Sequence, residues 1–233
     1  MGRWIVRGLF VAVLGLVLLV ASGAWQPPAR WMPPDRWLPW QPLRFEDAPN
    51  LLTRYKLARL SAEPEACLAF LGHTPLRTTA LDDRETGNGC GFENAVRIAR
   101  TSYAVGSPFT LSCPAAVSLA LWERHVVTPA AERLYGSPPV RLEHYGSYTC
   151  RNVAGSARRS RHATADALDV AGFTLKDGTR IRVLGGWDGS DGLFLREVHR
   201  GGCRFFGGVL GPDYNAAHGD HLHLEVNGIR VCR

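Results

Sequence analysis

The segment His218-Gly219-Asp220-His221-Leu222-His223-Leu224-Glu225-Val226 places three of the chain's eight histidines within six positions. From His221 onward polar and apolar residues alternate, which is the period of a half-buried strand. His221 and His223 then project from one face, about 7 Å apart at their Cα atoms, while Leu222, Leu224 and Val226 turn to a core. Two imidazoles on rigid backbone suit a divalent transition metal. An isolated His-x-His also occurs on solvent-facing strand edges without chemistry, so the reading turns on a third ligand. Upstream, Ser160-Arg161-His162-Ala163-Thr164-Ala165-Asp166-Ala167-Leu168-Asp169 supplies one. The small residues between His162 and Asp169 let a compact loop bring the imidazole back beside the carboxylate. His162, Asp169 and His223 make a two-histidine, one-carboxylate set, the combination for a catalytic zinc with its fourth position open.

The elements that must position these residues are short. Residues 167–175 read as an apolar strand, Lys176-Asp177-Gly178 as a turn and 179–184 as the return strand. Asn227-Gly228 is a two-residue hairpin signal, which predicts that 220–226 and 229–232 pair with each other. Further upstream, 61–71 reads as a helix with Ser61 as N-cap and Gly72 as terminator. Residues 74–92 read as loop and 93–105 as a strand. A helix over 114–135 is interrupted at Thr128-Pro129 and ends at Gly136, and its stripe of Val117, Leu121, Trp122 and Val126 is core. Residues 140–150 read as a strand and 193–200 as a helix. The fold class is α+β: a small antiparallel sheet built from the two hairpins, with helices of the N-terminal half packed on one side.

At 233 residues the chain is long enough for one domain with a full core. Residues 1–25 stand apart, because Arg3 and Arg7 precede an uncharged apolar run over 8–24. That layout is an export signal, either cleaved near Ser22-Gly23-Ala24 or retained as an inner-membrane anchor. Residues 26–50 are rich in Pro and Trp and read as a linker whose tryptophans suit a membrane interface or a strap over the domain. The domain proper is 51–233. A formal charge of +6 with Arg and acidic residues interspersed argues against a nucleic-acid binder, which clusters charge among aromatic platforms, and suits an anionic polymer such as a cell wall. Six cysteines behind an export signal predict disulfides, and pairing between neighbours gives Cys67–Cys90, Cys113–Cys150 and Cys203–Cys232. The absence of Cys-x-x-Cys argues against a thiolate zinc knuckle.

Ser160-x-His162-x-x-Ala165-x-Ala167-x-Asp169 with His221-x-His223 resembles the metal signature of the zinc peptidases that process peptidoglycan, the superfamily of D-alanyl-D-alanine carboxypeptidases and murein endopeptidase. More closely, Tyr148-x-Cys150-Arg151-Asn152, the His162 to Asp169 motif and Leu210-Gly211-Pro212-Asp213-Tyr214-Asn215-Ala216-Ala217-His218 through His223 resemble the bacterial extensin-like C-terminal domain family, over about residues 60–233. The resemblance implies that His162, Asp169 and His223 bind zinc, that His221 lies beside the reacting water, and that His218 matches a further histidine of the endopeptidase branch. Ala165 stands where the carboxypeptidases have glycine, and Asp220 where they carry a catalytic glutamate. His221 is the first candidate for general base and Asp220 the second. Arg151 is the candidate for stabilising an oxyanion or clamping a substrate carboxylate. Ser160 and Asp166 support the loop or the ligands, and Asp213, Tyr214 and Asn215 are candidates to line the cleft.

The expected activity is zinc-dependent hydrolysis of an amide bond in peptidoglycan stem peptides, outside the cytoplasm. The competing expectation is a non-catalytic wall-binding protein on the same fold. A serine hydrolase using Ser160, His162 and Asp169 is the weaker third, because Ser160 lacks the Gly-x-Ser-x-Gly elbow and His221 and His223 are left without a role.

Overall fold

The computed structural model describes residues 2–22, 33–228 and 230–233, and the chain divides into two compact units, Met1–Gln41 and Pro42–Arg233. The first contains α1 (Gly2–Ala21), which takes in most of the apolar run, and a 3₁₀ turn at Asp35–Trp37. Among the described residues no helix is long and apolar enough to cross a membrane. The small residues Gly23 and Ala24 of the expected cleavage site, and 26–32 of the expected linker, lie outside the described residues. The second unit begins before the expected boundary at 51, because Leu43 and Phe45 are buried in its core.

Within the second unit come α2 (Thr53–Ser61) and α3 (Pro64–Leu71). The expected single helix from Ser61 is two helices. Ser61 closes the first, its hydroxyl donating to the Leu57 carbonyl, and Pro64 opens the second, where a missing N–H costs nothing. Strands β1 (Arg77–Leu81), β2 (Arg84–Gly87), β3 (Cys90–Phe92), β4 (Ala95–Arg100), β5 (Ala104–Val105) and β6 (Phe109–Ser112) follow. The expected loop over 74–92 therefore contains three strands. β1, β4 and β6 form a three-stranded antiparallel sheet, and β2 and β3 a ribbon.

The helical stretch begins with α4 (Cys113–Trp122), passes through a π-helical turn at Glu123–Val127 and continues as α5 (Thr128–Tyr135). Thr128-Pro129 marks the restart as expected, and Gly136 ends it in the left-handed conformation (φ 65°) that glycine adopts at little cost. α4 is buried nearly all round rather than along one stripe. Its Trp122 packs on Phe173 and Phe206 and donates its indole N–H to the Val198 carbonyl at 2.8 Å.

The remaining elements are β7 (Pro139–Gly146), β8 (Ala167–Leu175), β9 (Arg180–Arg182), a broken turn α6 (Val183–Gly186), α7 (Gly192–Gly202), β10 (Gly208–Leu210), β11 (Leu222–Glu225) and β12 (Val231–Cys232). They form a seven-stranded sheet in the order β12-β10-β11-β8-β7-β5, with β9 also paired to β8. The β8–β9 hairpin is the one expected. The Asn227-Gly228 hairpin is not formed, because β10 lies between β11 and β12, antiparallel to the first and parallel to the second. Asn227 takes a left-handed φ of 57°, as a turn requires, but the chain leaving it passes beyond a strand that the sequence pattern had not revealed. The β5–β7 and β10–β12 pairings are parallel, so the sheet is mixed rather than purely antiparallel.

The disulfides are Cys67–Cys113, Cys90–Cys150 and Cys203–Cys232. Only the last matches the nearest-neighbour expectation. α3 packs against α4, which brings Cys67 to Cys113, and Cys90 of β3 is thereby left to the loop that follows β7. Each bridge contributes about 2–4 kcal/mol.

Candidate metal centre

β8 and β11 are antiparallel neighbours with Asp169 directly opposite His223. The apolar residues on either side, Leu168, Val170, Leu222 and Leu224, are all buried in the core, and this burial fixes the register. A slip of one residue would turn every one of those side chains to the wrong face. His162 arrives from a 3₁₀ turn, Arg161–Thr164, that precedes β8. Ser160 caps the turn, accepting from the His162 backbone N–H at 3.4 Å. Ala165 reverses the chain into β8 with a φ of 56°, a conformation that costs a residue with a Cβ about 1–2 kcal/mol.

Three donor atoms converge. His162 Nε2 lies 3.2 Å from Asp169 Oδ1 and 3.2 Å from His223 Nδ1, and His223 Nδ1 lies 2.9 Å from Asp169 Oδ1. The outer ring nitrogens are already committed: His162 Nδ1–H donates to the Ser147 carbonyl and His223 Nε2–H donates to Glu225 Oε2 at 3.0 Å. Those bonds turn both inner nitrogens toward a carboxylate and toward each other. Such a cluster repels itself unless a cation or proton sits within it. Burial pushes the Asp169 carboxyl up, but the hydrogen bonds and charge of His162 and His223 outweigh it and hold the group well below the usual carboxylate range. Burial pulls His223 down, but Asp169 and Glu225 outweigh it and raise the imidazole to about 9. Both shifts express the same demand for positive charge.

The donor set fits zinc. Tetrahedral zinc with bonds of about 2.0–2.2 Å separates its ligand atoms by about 3.4 Å, close to the separations found here. His162, Asp169 and His223 are also the one group of three or more such side chains, among the described residues, able to hold an ion. The outer hydrogen bonds to Ser147 and Glu225 are those that orient metal-ligating histidines.

His221 sits at the edge of this cluster. Its Nδ1–H donates to Asp220 Oδ1 at 2.8 Å, and its Nε2 lies 3.4 Å from Asp169 Oδ1. β11 starts only at Leu222, so Asp220 lies in the preceding turn and reaches the imidazole instead of pointing away from it. Asp220 thus holds the His221 ring by this hydrogen bond. Exposed Tyr145 packs edge-on against His221, and its hydroxyl interacts with Asp220. His218, from a short turn at Ala216–His218, lies with its ring centroid 5.3 Å from that of His221 and 5.7 Å from that of His223. It donates from Nδ1 to Asn215 Oδ1 at 2.7 Å. Burial and the neighbouring His223 and His221 lower it to about 4, so it is a neutral imidazole at pH 7.

Arg151 stands at the rim, 3.9 Å from Asp169 Oδ2. A cleft of about 630 Å³ opens over the cluster, and Arg151, Ser160, Tyr214, Asn215, His218 and His221 are among the residues that line it. Asp213 is instead structural, accepting from the Trp187 indole and pairing with Arg196. The Asp166 carboxylate makes no hydrogen bond to His162, Asp169 or His223 among the described residues. It accepts from Ser112, Thr164 and Asn227, tying the 3₁₀ turn to β6 and to the end of β11. Ser160 bonds the backbone of His162 and not its ring, which removes the serine-hydrolase geometry. His125 and His144 bond backbone carbonyls and His199 packs on Trp187, so all three have partners within the fold.

Two contributors were missed from the sequence. Glu225 had a signal, since it continues the alternation that put His221 and His223 on one face. The Ser147 carbonyl had none, because a backbone acceptor carries no residue identity.

Neither a curated protein nor a solved structure matches the chain. The family model described as the extensin-like protein C-terminus matches residues 65–233, a stretch that runs from α3 to the last residue and takes in every residue of the centre, and the chain belongs to that family.

Proposed function

We propose that the protein is a zinc-dependent hydrolase of amide bonds in peptidoglycan stem peptides, related to the wall-processing zinc peptidases and acting outside the cytoplasm. The observation that carries this reading is the convergence of two imidazole nitrogens and a carboxylate oxygen, all within 3.2 Å of one another, at the floor of an open cleft. His162, Asp169 and His223 would hold the ion. Zinc in such a site supplies Lewis acidity, polarising a carbonyl and making water acidic near neutral pH.

The chain's own residues supply the rest. Asp220 keeps the proton of His221 on Nδ1, so Nε2 is free to take a proton from the attacking water and pass it to the leaving nitrogen. Arg151, half exposed at the rim, is placed to face negative charge developing on the carbonyl oxygen. The Ser147 carbonyl and the Glu225 carboxylate, by accepting from the outer ring nitrogens, hold the orientation of both rings. Export is supported by the leader pattern and by three disulfides, which persist in oxidising compartments.

The test is incubation of zinc-loaded protein with muropeptides and intact sacculi. New amine termini that disappear on chelation and in His221→Ala support the reading. Retention on sacculi without any cleavage product contradicts it and leaves a wall-binding protein.

A further inference from the structure

We infer that the hairpin loop between β7 and the 3₁₀ turn is a recognition wall for carboxylates, so that the cleft takes an acidic peptide. Four arginines line the cleft, Arg151, Arg158 and Arg159 from this loop and Arg161 from the first position of the 3₁₀ turn that follows it, and among the described residues Glu225 is the only carboxylate residue lining it. Glu225 is occupied by His223. The charge that looked interspersed along the sequence is therefore concentrated in space on one side of the centre.

The loop is built to hold these side chains. Cys150 is bonded to Cys90 of β3, and the strands of the loop pair through Val153 N–H to the Arg158 carbonyl, Ser160 N–H to the Arg151 carbonyl and a bridge between Asn152 and Arg159. Gly155 makes the bend with a φ of 70°, which only glycine adopts readily. Arg159 donates to the Asn88 carbonyl and to Asn152 Oδ1, so its guanidinium is held by neutral acceptors and its charge stays uncompensated. The side chains of Arg158 and Arg161 form no ion pair among the described residues. Guanidinium groups with free N–H pairs match carboxylates in bidentate geometry.

A phosphate polymer is the rival ligand of the same charge. Among the described residues Tyr214 is the one Phe, Tyr or Trp that lines the cleft, and its other walls include Val153, Ala154, Leu210 and Val231. Single-stranded nucleic acid calls for successive stacking platforms, whereas small apolar patches beside arginines suit a peptide with acidic side chains or a free terminus. The inference adds a substrate class to the proposed amide hydrolase, but binding does not depend on turnover.

The test measures binding of acetyl-Ala-Glu-Ala-Glu-amide and its counterpart acetyl-Ala-Gln-Ala-Gln-amide to the full chain by titration calorimetry, at low and high salt. The acidic peptide should bind at least tenfold more tightly, and the preference should shrink with salt. It should fall about tenfold in Arg158→Ala and in Arg161→Ala, with Arg158→Gln as a second variant should either alanine change perturb folding. Arg180→Ala, on a different surface, should leave it unchanged. Equal binding of the two peptides, or full discrimination in the arginine variants, overturns the inference. So does tighter binding of an oligothymidylate than of the acidic peptide. Carboxylate preference without any cleavage of muropeptides would sink the hydrolase and leave this wall standing. Cleavage indifferent to substrate carboxylates would do the reverse.

Discussion

The chemistry of the centre is decided by which nitrogen of each imidazole is already in use. His162 spends Nδ1 on a backbone carbonyl and His223 spends Nε2 on Glu225, so opposite ring atoms face the centre although both residues serve one purpose. Glu225 is thus as much a part of the site as the histidine it holds. Glu225→Gln retains an acceptor but loses the charge that favours the ligand, and Glu225→Ala frees the ring to rotate. Zinc affinity should fall about 10–100-fold in the alanine variant and less in the glutamine variant. Competition against a chromogenic chelator reads this directly, and an unchanged affinity in Glu225→Ala would remove the residue from the site.

The same logic explains the asymmetry between Asp220 and His221. The resemblance made both candidates for the base, and the strand expected from residue 220 begins at Leu222. The turn residue Asp220 is consequently free to bend back onto its neighbour.

At the scale of elements, the site depends on β8 and β11 being adjacent and in one register, and on the tight reversal at Ala165. That residue is fully buried against Phe92 and Ala95 while holding a left-handed φ. Ala165→Gly relieves about 1–2 kcal/mol of backbone strain but gives up a buried methyl worth about 0.8 kcal/mol and adds unfolded-chain freedom of about 0.5–1 kcal/mol. The terms nearly cancel, so the change should alter stability by less than about 1 kcal/mol in denaturant titration. Ala165→Val, with a β-branched side chain that the left-handed region does not accept, should destabilise by more than about 2 kcal/mol.

Much of this was legible in the sequence because it is local. His-x-His alternation gave the face, the small residues between His162 and Asp169 gave the compact loop, and Thr128-Pro129 with Gly136 gave the helix restart and its end. What failed was non-local. Asn227-Gly228 has the chemistry of a tight hairpin, but whether two strands pair depends on whether a third inserts, and β10 is only three residues long. The disulfide pairing failed for a related reason. Cys67 meets Cys113 through helix packing, which spacing along the chain does not encode.

At the scale of the whole molecule, a buried carboxyl away from the centre is strongly perturbed. Glu123 opens the π-helical turn, is fully buried, accepts from the Ser102 N–H at 2.8 Å through Oε2, and has no partner for Oε1 among the described residues. Burial raises it from the ordinary glutamate value to about 7, against hydrogen bonds from Thr101 and Ser102 that lower it. Because the folded state binds its proton more tightly than the unfolded chain does, its contribution is fully present below about pH 4.5 and is lost as pH rises through about 7. Thermal unfolding followed across that window should show stability falling by an amount on the order of a few kcal/mol. Glu123→Gln should flatten this component, and an unchanged slope in the variant would assign the pH dependence to other groups.

The three bridges and the buried α4 give the second unit a rigid frame, and within it the centre is assembled from three separate segments: a 3₁₀ turn, β8 and β11. Whether that assembly holds an ion is the claim on which the rest depends. Elemental analysis of the purified chain after zinc loading and exhaustive dialysis tests it most directly, comparing the natural sequence with His223→Ala. The account predicts one zinc per chain in the first and loss of it in the second with the fold retained by circular dichroism. Zinc absent from the natural sequence, or bound equally well without His223, would contradict it.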